Sequence, residues 1–346
     1  MIFIAVPILL FLILFKIKIT KKDEFFDSLN KSQTASINGI FVVLILFSHI
    51  RQYISLNHYD YALYSAPVIF TQLIVVSFFF YSGYGLMESI KKKDRPYVYS
   101  IATHRFPKVL FDMVIAVCLF LIMQACFGVY FKIDKILLSF IGWETVGNSN
   151  WFIFVTLCFY VILFVSFLLL QKKSNVLAVA LTTILTIGYI VLMFVLGRDH
   201  YTFNTMLCLP AGMIFSLCKD KLFSYLKIHP VIHIISFCVL VAVFVVLYKF
   251  FFYNPFLFNI MGIVFMLAIV LATTKVSIQN SLLNFLGKYT FWIYILQRIP
   301  MIIFMRIGLA SFNSYVYLLV CVICTVLLSI AINYLSAKLK NLIWRK

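Results

Sequence analysis

The sequence has few acidic residues and few charged residues of either sign. Only 11 of the 346 residues are aspartate or glutamate, and charged residues of both signs make up 12% of the chain. A soluble domain covers its surface with charged and polar side chains, and this chain has too few of them to do so. The shortage of charge therefore excludes a soluble globular protein.

The eight cysteines indicate neither a disulfide framework nor a metal site. All of them lie in or at the ends of apolar segments, where a network of disulfide bridges is not expected. Cys321 and Cys324 have the spacing of a metal-binding pair, but no second pair or histidine cluster accompanies them on that helix. The sequence therefore predicts no bound metal.

Long apolar runs dominate the chain instead. Hydrophobic residues make up 64% of it, and the mean hydropathy is +1.06. Runs of about 17 to 25 apolar residues can cross a bilayer as helices. The sequence predicts an all-α fold, a polytopic integral membrane helix bundle of about 11 spans, at 1–19, 36–57, 66–88, 107–131, 150–171, 175–197, 203–218, 229–252, 256–274, 289–309 and 314–337. The run 203–218 is short and contains Pro210 and Gly212, so a broken or tilted helix is predicted there.

The meaning of the positive charge depends on where the basic residues lie. Lysine and arginine number 29, and the net charge of +18 could indicate a nucleic-acid partner. If successive spans alternate in direction, however, most of these residues fall on loops at one side, as is typical of cytoplasmic loops. The sequence thus predicts a multi-pass protein of the cell membrane, with its amino terminus outside and its carboxyl terminus in the cytoplasm. Its expected surroundings are membrane lipids and not nucleic acid.

An ionisable side chain, His49, lies inside the predicted span 36–57. Such a residue is costly at membrane depth unless it faces a partner or a wet cavity, so it marks a candidate functional site. The spacing of about three helical turns between Asn38 and His49 places Asn38, Phe41, Ile45 and His49 on one stripe of the helix. The alternative is a histidine that only packs between helices and bonds a neighbouring carbonyl.

Three short motifs follow one another in a fixed order along the chain. A histidine lies late in one predicted span, a pair of phenylalanines shortly before a Ser-Gly-Tyr sequence lies in the next, and an arginine stands at the start of the third; the residues are His49, Phe79, Phe80, Ser82, Gly83, Tyr84 and Arg105. In this order the motifs resemble the acyltransferase-3 family of membrane-bound O-acyltransferases. A later segment, LGKYTFWIYILQ, resembles the family's late helix, with Gln297 where the family has histidine and Arg298 directly after it.

The chain departs from the family pattern at Asn38, where arginine or lysine usually stands. If that positive charge helps to hold the acyl donor, it must come from elsewhere in this chain. Trp151 and Phe152 match a Trp-Phe pair that the family often has at this point. A tryptophan at a helix start is also a common interfacial anchor, which remains the alternative.

The resemblance covers roughly residues 36–337 and divides the chain into three parts. Residues 1–35 are predicted to form an N-terminal anchor helix, followed by a linker along the inner membrane surface. Residues 36–337 are the acyltransferase-3-like transmembrane domain, a core of ten helices, and 338–346 are a basic cytoplasmic tail.

The resemblance implies transfer of an acyl group, acetyl as the first expectation, from cytoplasmic acyl-CoA to a hydroxyl of a cell-surface glycan or lipid-linked saccharide. Acetyl-CoA would be the donor substrate, and no bound cofactor is expected. Neutral imidazole has a suitable basicity near pH 7, so His49 is the candidate general base or, alternatively, the carrier of the acyl group. The predicted donor- and substrate-binding residues are Asn38, Ser82, Gly83, Tyr84, Arg105, Lys108, Trp151, Gln297 and Arg298.

A transporter or flippase for a lipid-linked oligosaccharide is the alternative function. Many helices with an intramembrane histidine and arginines are also typical of that class. That class predicts internal repeats, and the two halves of the sequence show no convincing self-similarity.

Overall fold

The computed structural model describes residues 11, 13–21, 24–54, 61–278 and 280–344, without the side chains of 61–71. The predicted anchor span 1–19 therefore lies largely outside the described residues. The helices of the described ranges are, in chain order, α1 Lys31–Ile50, α2 Tyr61–Ser100, α3 Phe106–Cys126, α4 Ile133–Phe140, α5 Trp151–Leu170, α6 Asn175–Val195, α7 Cys208–Ile228, α8 Pro230–Phe251, α9 Pro255–Lys275, α10 Ser281–Lys288, α11 Thr290–Leu296, α12 Arg298–Arg306, α13 Leu309–Phe312 and α14 Ser314–Ile343. Two short strands, β1 Ile17–Ile19 and β2 Val276–Ile278, pair in antiparallel orientation.

The chain is a helical, membrane-embedded protein, as the apolar runs predict. Within the described residues, 7 helical stretches are long and apolar enough to cross a membrane. One of these, Gln72–Cys126, contains 55 residues. At about 1.5 Å per residue it is long enough for two crossings. The total of about 11 spans stays a prediction.

The apolar core is built around α2. Phe79 and Phe80 of this helix are almost completely buried, together with Phe159 of α5 and Phe258 of α9. Aromatic side chains of this size contribute a large apolar area to any core that encloses them. The two phenylalanines of the family motif are therefore packing residues that fix the position of α2.

Helix α2 is kinked near its carboxyl-terminal end at Asp94, whose φ of 52° lies outside the helical range. Pro96 follows two residues later, and proline lacks a backbone N–H and disfavours helical geometry in the residue before it. The Asp94 carboxylate accepts a hydrogen bond of 2.6 Å from Gln171 Nε2 at the end of α5. A π-helical turn, Ile101–Arg105, then leads into α3 and ends on a basic residue.

Helix α7 corrects one prediction for the span 203–218. Pro210 lies in the first turn of this helix, where its missing N–H is not needed. The helix then continues through Gly212 to Ile228 without interruption. The predicted break was therefore wrong.

The interruption occurs instead in the predicted span 289–309. Pro300 cannot donate the helical hydrogen bond that the Leu296 carbonyl would accept. The hydrogen-bond pattern of the helix is interrupted next to that carbonyl, at Gln297, which separates α11 from α12 while its own φ of −55° and ψ of −31° remain helical. The polar residues Gln297 and Arg298 therefore lie at a helix junction.

Helix α1, which carries His49, lies very close to α10. A Cβ atom on Gly287 of α10 would be 1.8 Å from Ala35 O, and one on Gly39 of α1 would be 2.0 Å from Leu283 O. Only glycine allows two helix backbones to approach so closely. The two glycines therefore set the position of α1 relative to α10.

Gln33 fixes the amino-terminal end of α1. Its side chain accepts a hydrogen bond of 3.0 Å from the Ile278 N–H and donates one of 3.2 Å to the Val276 carbonyl. These residues belong to β2, which pairs with β1 of the preceding linker. The start of α1 is thus joined to both the linker and the segment that leads into α10.

The last helix, α14, continues beyond the predicted boundary at residue 337 and ends at Ile343. Lys340 forms an ion pair with Asp112 of α3, and Ser336 donates a hydrogen bond to the same carboxylate. Residues 338–343 of the predicted tail 338–346 are therefore part of a helix that is fastened to α3.

Candidate functional site

Two cavities lie along the stripe of α1 that was predicted to face the interior. The outer cavity, at the carboxyl-terminal end of α1, has a volume of about 480 Å³ and is lined by Ile45, His49 and Arg298 among others. The inner cavity, in the amino-terminal half of the same helix, has a volume of about 430 Å³ and is lined in part by Asn38. The names outer and inner follow the orientation that the sequence predicts. Phe41, between these positions, is buried. The helical spacing therefore placed these side chains on the correct face.

His49 lies in the last turn of α1, and its ring centroid is 6.4 Å from that of Tyr294. Its Nδ1 atom is buried and has no hydrogen-bond partner among the described residues. The Gln297 side chain lies beside the imidazole, yet its buried Oε1 atom also lacks a partner within the same ranges. The imidazole is thus surrounded by polar neighbours while Nδ1 is not committed to a hydrogen bond.

Tyr294 of α11 lines both cavities. Its ring packs against Phe152 of α5, with 5.4 Å between the centroids, and its carbonyl accepts a hydrogen bond of 2.9 Å from Gln297 Nε2. Phe152 thus holds the ring, and Gln297 bonds the backbone of the same residue. The two cavities therefore share one wall, and His49 lies next to it.

Arg298 lies at the start of α12 and is held by three neutral groups. Its Nε donates to Ser149 Oγ at 2.8 Å, Nη1 donates to Tyr53 OH at 3.0 Å, and Nη2 donates to Gln52 Oε1 at 2.9 Å. These bonds connect α12 with the turn after α1 and with the loop before α5. These neighbours orient the guanidinium at the outer cavity and do not neutralise its positive charge.

The outer cavity also has an aromatic wall and unpartnered polar groups. Trp151 and Tyr201 both line it, with ring centroids 5.4 Å apart. Burial and the hydrogen bond to Asp199 raise the pKa of Tyr201 to about 12, so this side chain stays neutral at physiological pH. Ser48 Oγ and Asn148 Nδ2, on two further lining residues, are buried without a partner in the described part of the chain.

The inner cavity is bounded by aromatic rings together with hydroxyl and amide side chains. Among its described lining residues the one cation is Lys288, which ends α10 and lies at the same cavity as Asn38 and Ser82. Tyr81 is only 8% exposed, and its hydroxyl has no partner in the ranges that the structure describes. A lysine from a distant segment thus stands at the cavity where Asn38 provides no charge.

Arg105 lies beside the inner cavity. Its guanidinium carbon is 5.2 Å from the ring centroid of Tyr97, and it also interacts with the hydroxyl of Tyr160, which lines the cavity. Lys108 follows within one turn of α3, and neither cavity includes it among the described lining residues.

Gly83 and Tyr84 are further predicted binding residues that neither cavity includes among its described lining. A Cβ atom on Gly83 would be 1.9 Å from Leu209 O of α7, so this glycine allows close packing of α2 against α7. The Tyr84 hydroxyl accepts a hydrogen bond of 2.6 Å from Lys219 Nζ, which also pairs with Glu88. A part in ligand binding for either residue stays a prediction, and their contacts are structural.

Sequence reasoning missed Tyr294, Lys288 and Ser149 as site residues. The first two lie in the LGKYTFWIYILQ segment, so the motif contained the signal, but nothing in it distinguishes a cavity wall from a packing residue. Ser149 is an ordinary loop serine until its bond to Arg298 is known. Their importance follows from contacts between segments far apart in the chain.

Among the described residues, no group of three or more histidine, cysteine, aspartate or glutamate side chains could hold a metal ion. No curated protein and no solved structure matches the chain. A family model described as an acyltransferase domain matches residues 36–334, nearly the whole chain, and this match does not support the transporter alternative. The order of the motifs, the helical architecture and this match agree: the chain belongs to the acyltransferase-3 family and is a membrane acyltransferase.

Proposed function

We propose that the protein is an O-acyltransferase that moves an acyl group, acetyl in the simplest case, from cytoplasmic acyl-CoA to a hydroxyl of an extracytoplasmic polysaccharide or lipid-linked sugar. The observation that carries the proposal is the position of His49 beside Tyr294, the one wall that two cavities of different chemistry share. Each cavity would hold one substrate, and the reacting atoms would meet at this wall.

In the proposed reaction His49 acts as general base. The imidazole takes the proton of the acceptor hydroxyl while its oxygen attacks the thioester carbonyl. The new C–O ester bond forms, the C–S bond breaks, and coenzyme A leaves as a thiolate that takes up a proton. Gln297, beside the imidazole, would fix the orientation of the ring.

The donor would occupy the inner cavity. Its aromatic rings suit the acyl group and the methylene groups of the pantetheine arm, and its hydroxyl and amide side chains suit the amides of that arm. Lys288 and Arg105 are the proposed partners of the coenzyme A phosphates, since cations form charge-assisted hydrogen bonds with phosphate oxygens. Lys288 would supply the charge that Asn38 does not provide, and Lys108 could add to it.

The acceptor would occupy the outer cavity and enter from the outer face of the cell membrane. Trp151 and Tyr201 present ring surfaces against which a sugar ring can pack, and the unpartnered Ser48 and Asn148 side chains offer hydrogen bonds to its hydroxyls. The proposed orientation follows from the excess of basic residues on the loops assigned to the cytoplasm.

Replacement of His49 by alanine tests the proposal directly. We expect transfer of label from radiolabelled acetyl-CoA to surface glycan, measured in membranes at matched expression, to fall by about 100-fold or more, because the base is lost. His229→Ala is the matched control, since His229 is exposed at the start of α8 and far along the chain from both cavities. Transfer by His49→Ala at the level of the control would remove the proposed mechanism.

A further inference from the structure

The charges at the outer cavity are of one sign. Among the residues that the structure describes, its lining contains Arg51 and Arg298 and no carboxylate. Asp199 bonds the Tyr201 hydroxyl at 2.5 Å but is not part of the lining, and Tyr201 itself stays neutral because of its raised pKa. A cleft with low-dielectric walls and one sign of charge attracts ligands of the opposite sign.

Arg298 is the centre of this charge. Its three hydrogen bonds go to a serine hydroxyl, a tyrosine hydroxyl and a glutamine amide, all of which are neutral. A guanidinium carries five N–H donors, so two remain for a ligand after these bonds are made. A half-buried cation at membrane depth is stabilised strongly by an opposite charge, and the described protein atoms provide none for Arg298.

The walls around Arg298 are built for a polar ligand. Ser48 is 1% exposed and Asn148 is 5% exposed, both line the outer cavity, and each has a polar atom without a partner in the described ranges. Buried polar groups are nearly always paired, so unpaired groups that face a cavity indicate that a ligand or water pairs with them. The hydroxyl and amide would bind the neutral part of that ligand, beside the guanidinium.

We infer that the acceptor is an anionic saccharide, whose phosphate or carboxylate group is bound by Arg298 while one of its hydroxyls faces His49. This inference rests on the proposed function and adds the chemical class of the acceptor. The anionic group can lie on the sugar itself or on the phosphate that links the sugar to a lipid. Charge-assisted bonds from two N–H groups of one guanidinium suit either oxyanion.

The test measures binding of three small probes to the full chain in phosphatidylcholine nanodiscs by isothermal titration calorimetry. The probes are methyl glucoside, methyl glucuronoside and glucose 1-phosphate, which are neutral, charged on the sugar and charged at the linkage position. We expect at least one charged probe to bind about tenfold more tightly than methyl glucoside, which is the ordinary effect of one hydrogen bond to a charged group. The charged probe that binds more tightly identifies the source of the anion.

Substitutions then assign the preference to Arg298. Arg298→Gln should remove the difference between charged and neutral probes, and Arg298→Lys should retain part of it. Arg306→Gln is the matched control, because Arg306 ends the same helix α12, is exposed and bonds Gln124 away from the cavity lining. A purely structural Arg298 would weaken all three probes alike.

Two results would overturn the inference. One is wild-type protein that binds methyl glucoside as tightly as both charged probes, or that binds none of the three. The other is a folded Arg298→Gln protein that keeps the full preference. Failure of the proposed function is distinguishable, because transfer that survives in His49→Ala would contradict the base and leave the charge preference of the binding assay intact.

Discussion

The outer and inner cavities have similar volumes, about 480 and about 430 Å³, but their linings differ in chemistry. The outer lining combines arginines with uncharged polar side chains from the loop before α5. The inner lining combines phenylalanine and tyrosine rings with hydroxyl and amide side chains, and Lys288 is its cation among the described residues. Because the two volumes are nearly the same, the chemistry of the lining would decide which substrate each cavity accepts. Tyr294 lines both cavities and forms the wall between them.

The largest effect on both cavities is expected from a substitution that separates α1 from α10, since α1 contributes residues to both cavities. Gly287→Val would place side-chain atoms where a Cβ already lies 1.8 Å from a backbone oxygen. We expect the forced displacement to cost about 3 kcal/mol of stability. Thermal unfolding in detergent should show a clear fall in Tm, and the assay with labelled acetyl-CoA should show a loss of acyl transfer.

The control for this substitution is Gly188→Val. Gly188 is also helical, in α6, and a Cβ atom there would meet nothing within 4 Å in the structure as described. Both changes replace glycine with a residue of higher helix propensity, so propensity acts in the same direction in both and a fall in Tm confined to Gly287→Val reports the close approach. Equal unfolding temperatures for the two variants would contradict the packing account.

The second largest effect is expected from removal of the Tyr294 side chain, which separates the two cavities. Tyr294→Ala should join the two cavities and admit water to the thioester, because closed sites exclude such side reactions. We expect acyl transfer to fall about tenfold or more as the substrates lose their alignment, while hydrolysis of acetyl-CoA without transfer rises. Both rates can be measured with labelled acetyl-CoA in the same membranes.

Tyr294→Phe is the matched variant for the wall, since it keeps the ring and the contact with Phe152. We expect it to retain most of the transfer activity. Loss of transfer as large as in the alanine variant would show that the hydroxyl, and not the ring, is the important group.

The smallest effect is expected from replacing the cations that are proposed to bind the donor at the inner cavity. Lys288→Gln and Arg105→Gln should each raise the KM for acetyl-CoA about threefold and leave binding at the outer cavity unchanged, because exposed cations act through screened charge. Lys172→Gln, in an exposed loop position after α5, is the control. An unchanged KM in both variants would count against their contact with the coenzyme A phosphates.

Much of the site could be predicted from local patterns. The helical spacing of Asn38, Ile45 and His49 placed all three side chains at cavities, and the motifs drew attention to Trp151 and Arg298, which lie at the outer one. The same motifs also contain Gly83, whose observed contact is the close packing against Leu209. A motif indicates that a residue type is needed but not whether a ligand or a neighbouring helix needs it.

The helix boundaries show a similar limit. Pro210 and Pro300 are each the third residue of a helix, where the missing N–H is tolerated. They differ in what comes before: α7 follows a loop, whereas α12 directly follows α11, so only Pro300 lies at a junction between two helices. Which of the two arrangements forms depends on where the packed helices begin. The two strands that join the linker to the segment before α10 had no signal in the sequence, because each is three residues long.

The sequence by itself determined that the protein is a helical membrane acyltransferase and which face of α1 lies at the two cavities, because hydropathy, helical period and motif order are properties of neighbouring residues. The tertiary structure alone decided the surroundings of His49. They come from the turn after α1, the loop before α5, Tyr201 and the junction of α11 with α12, segments that only helix packing brings to one place. Long-range packing depends on side chains far apart in the chain, and no local pattern records it.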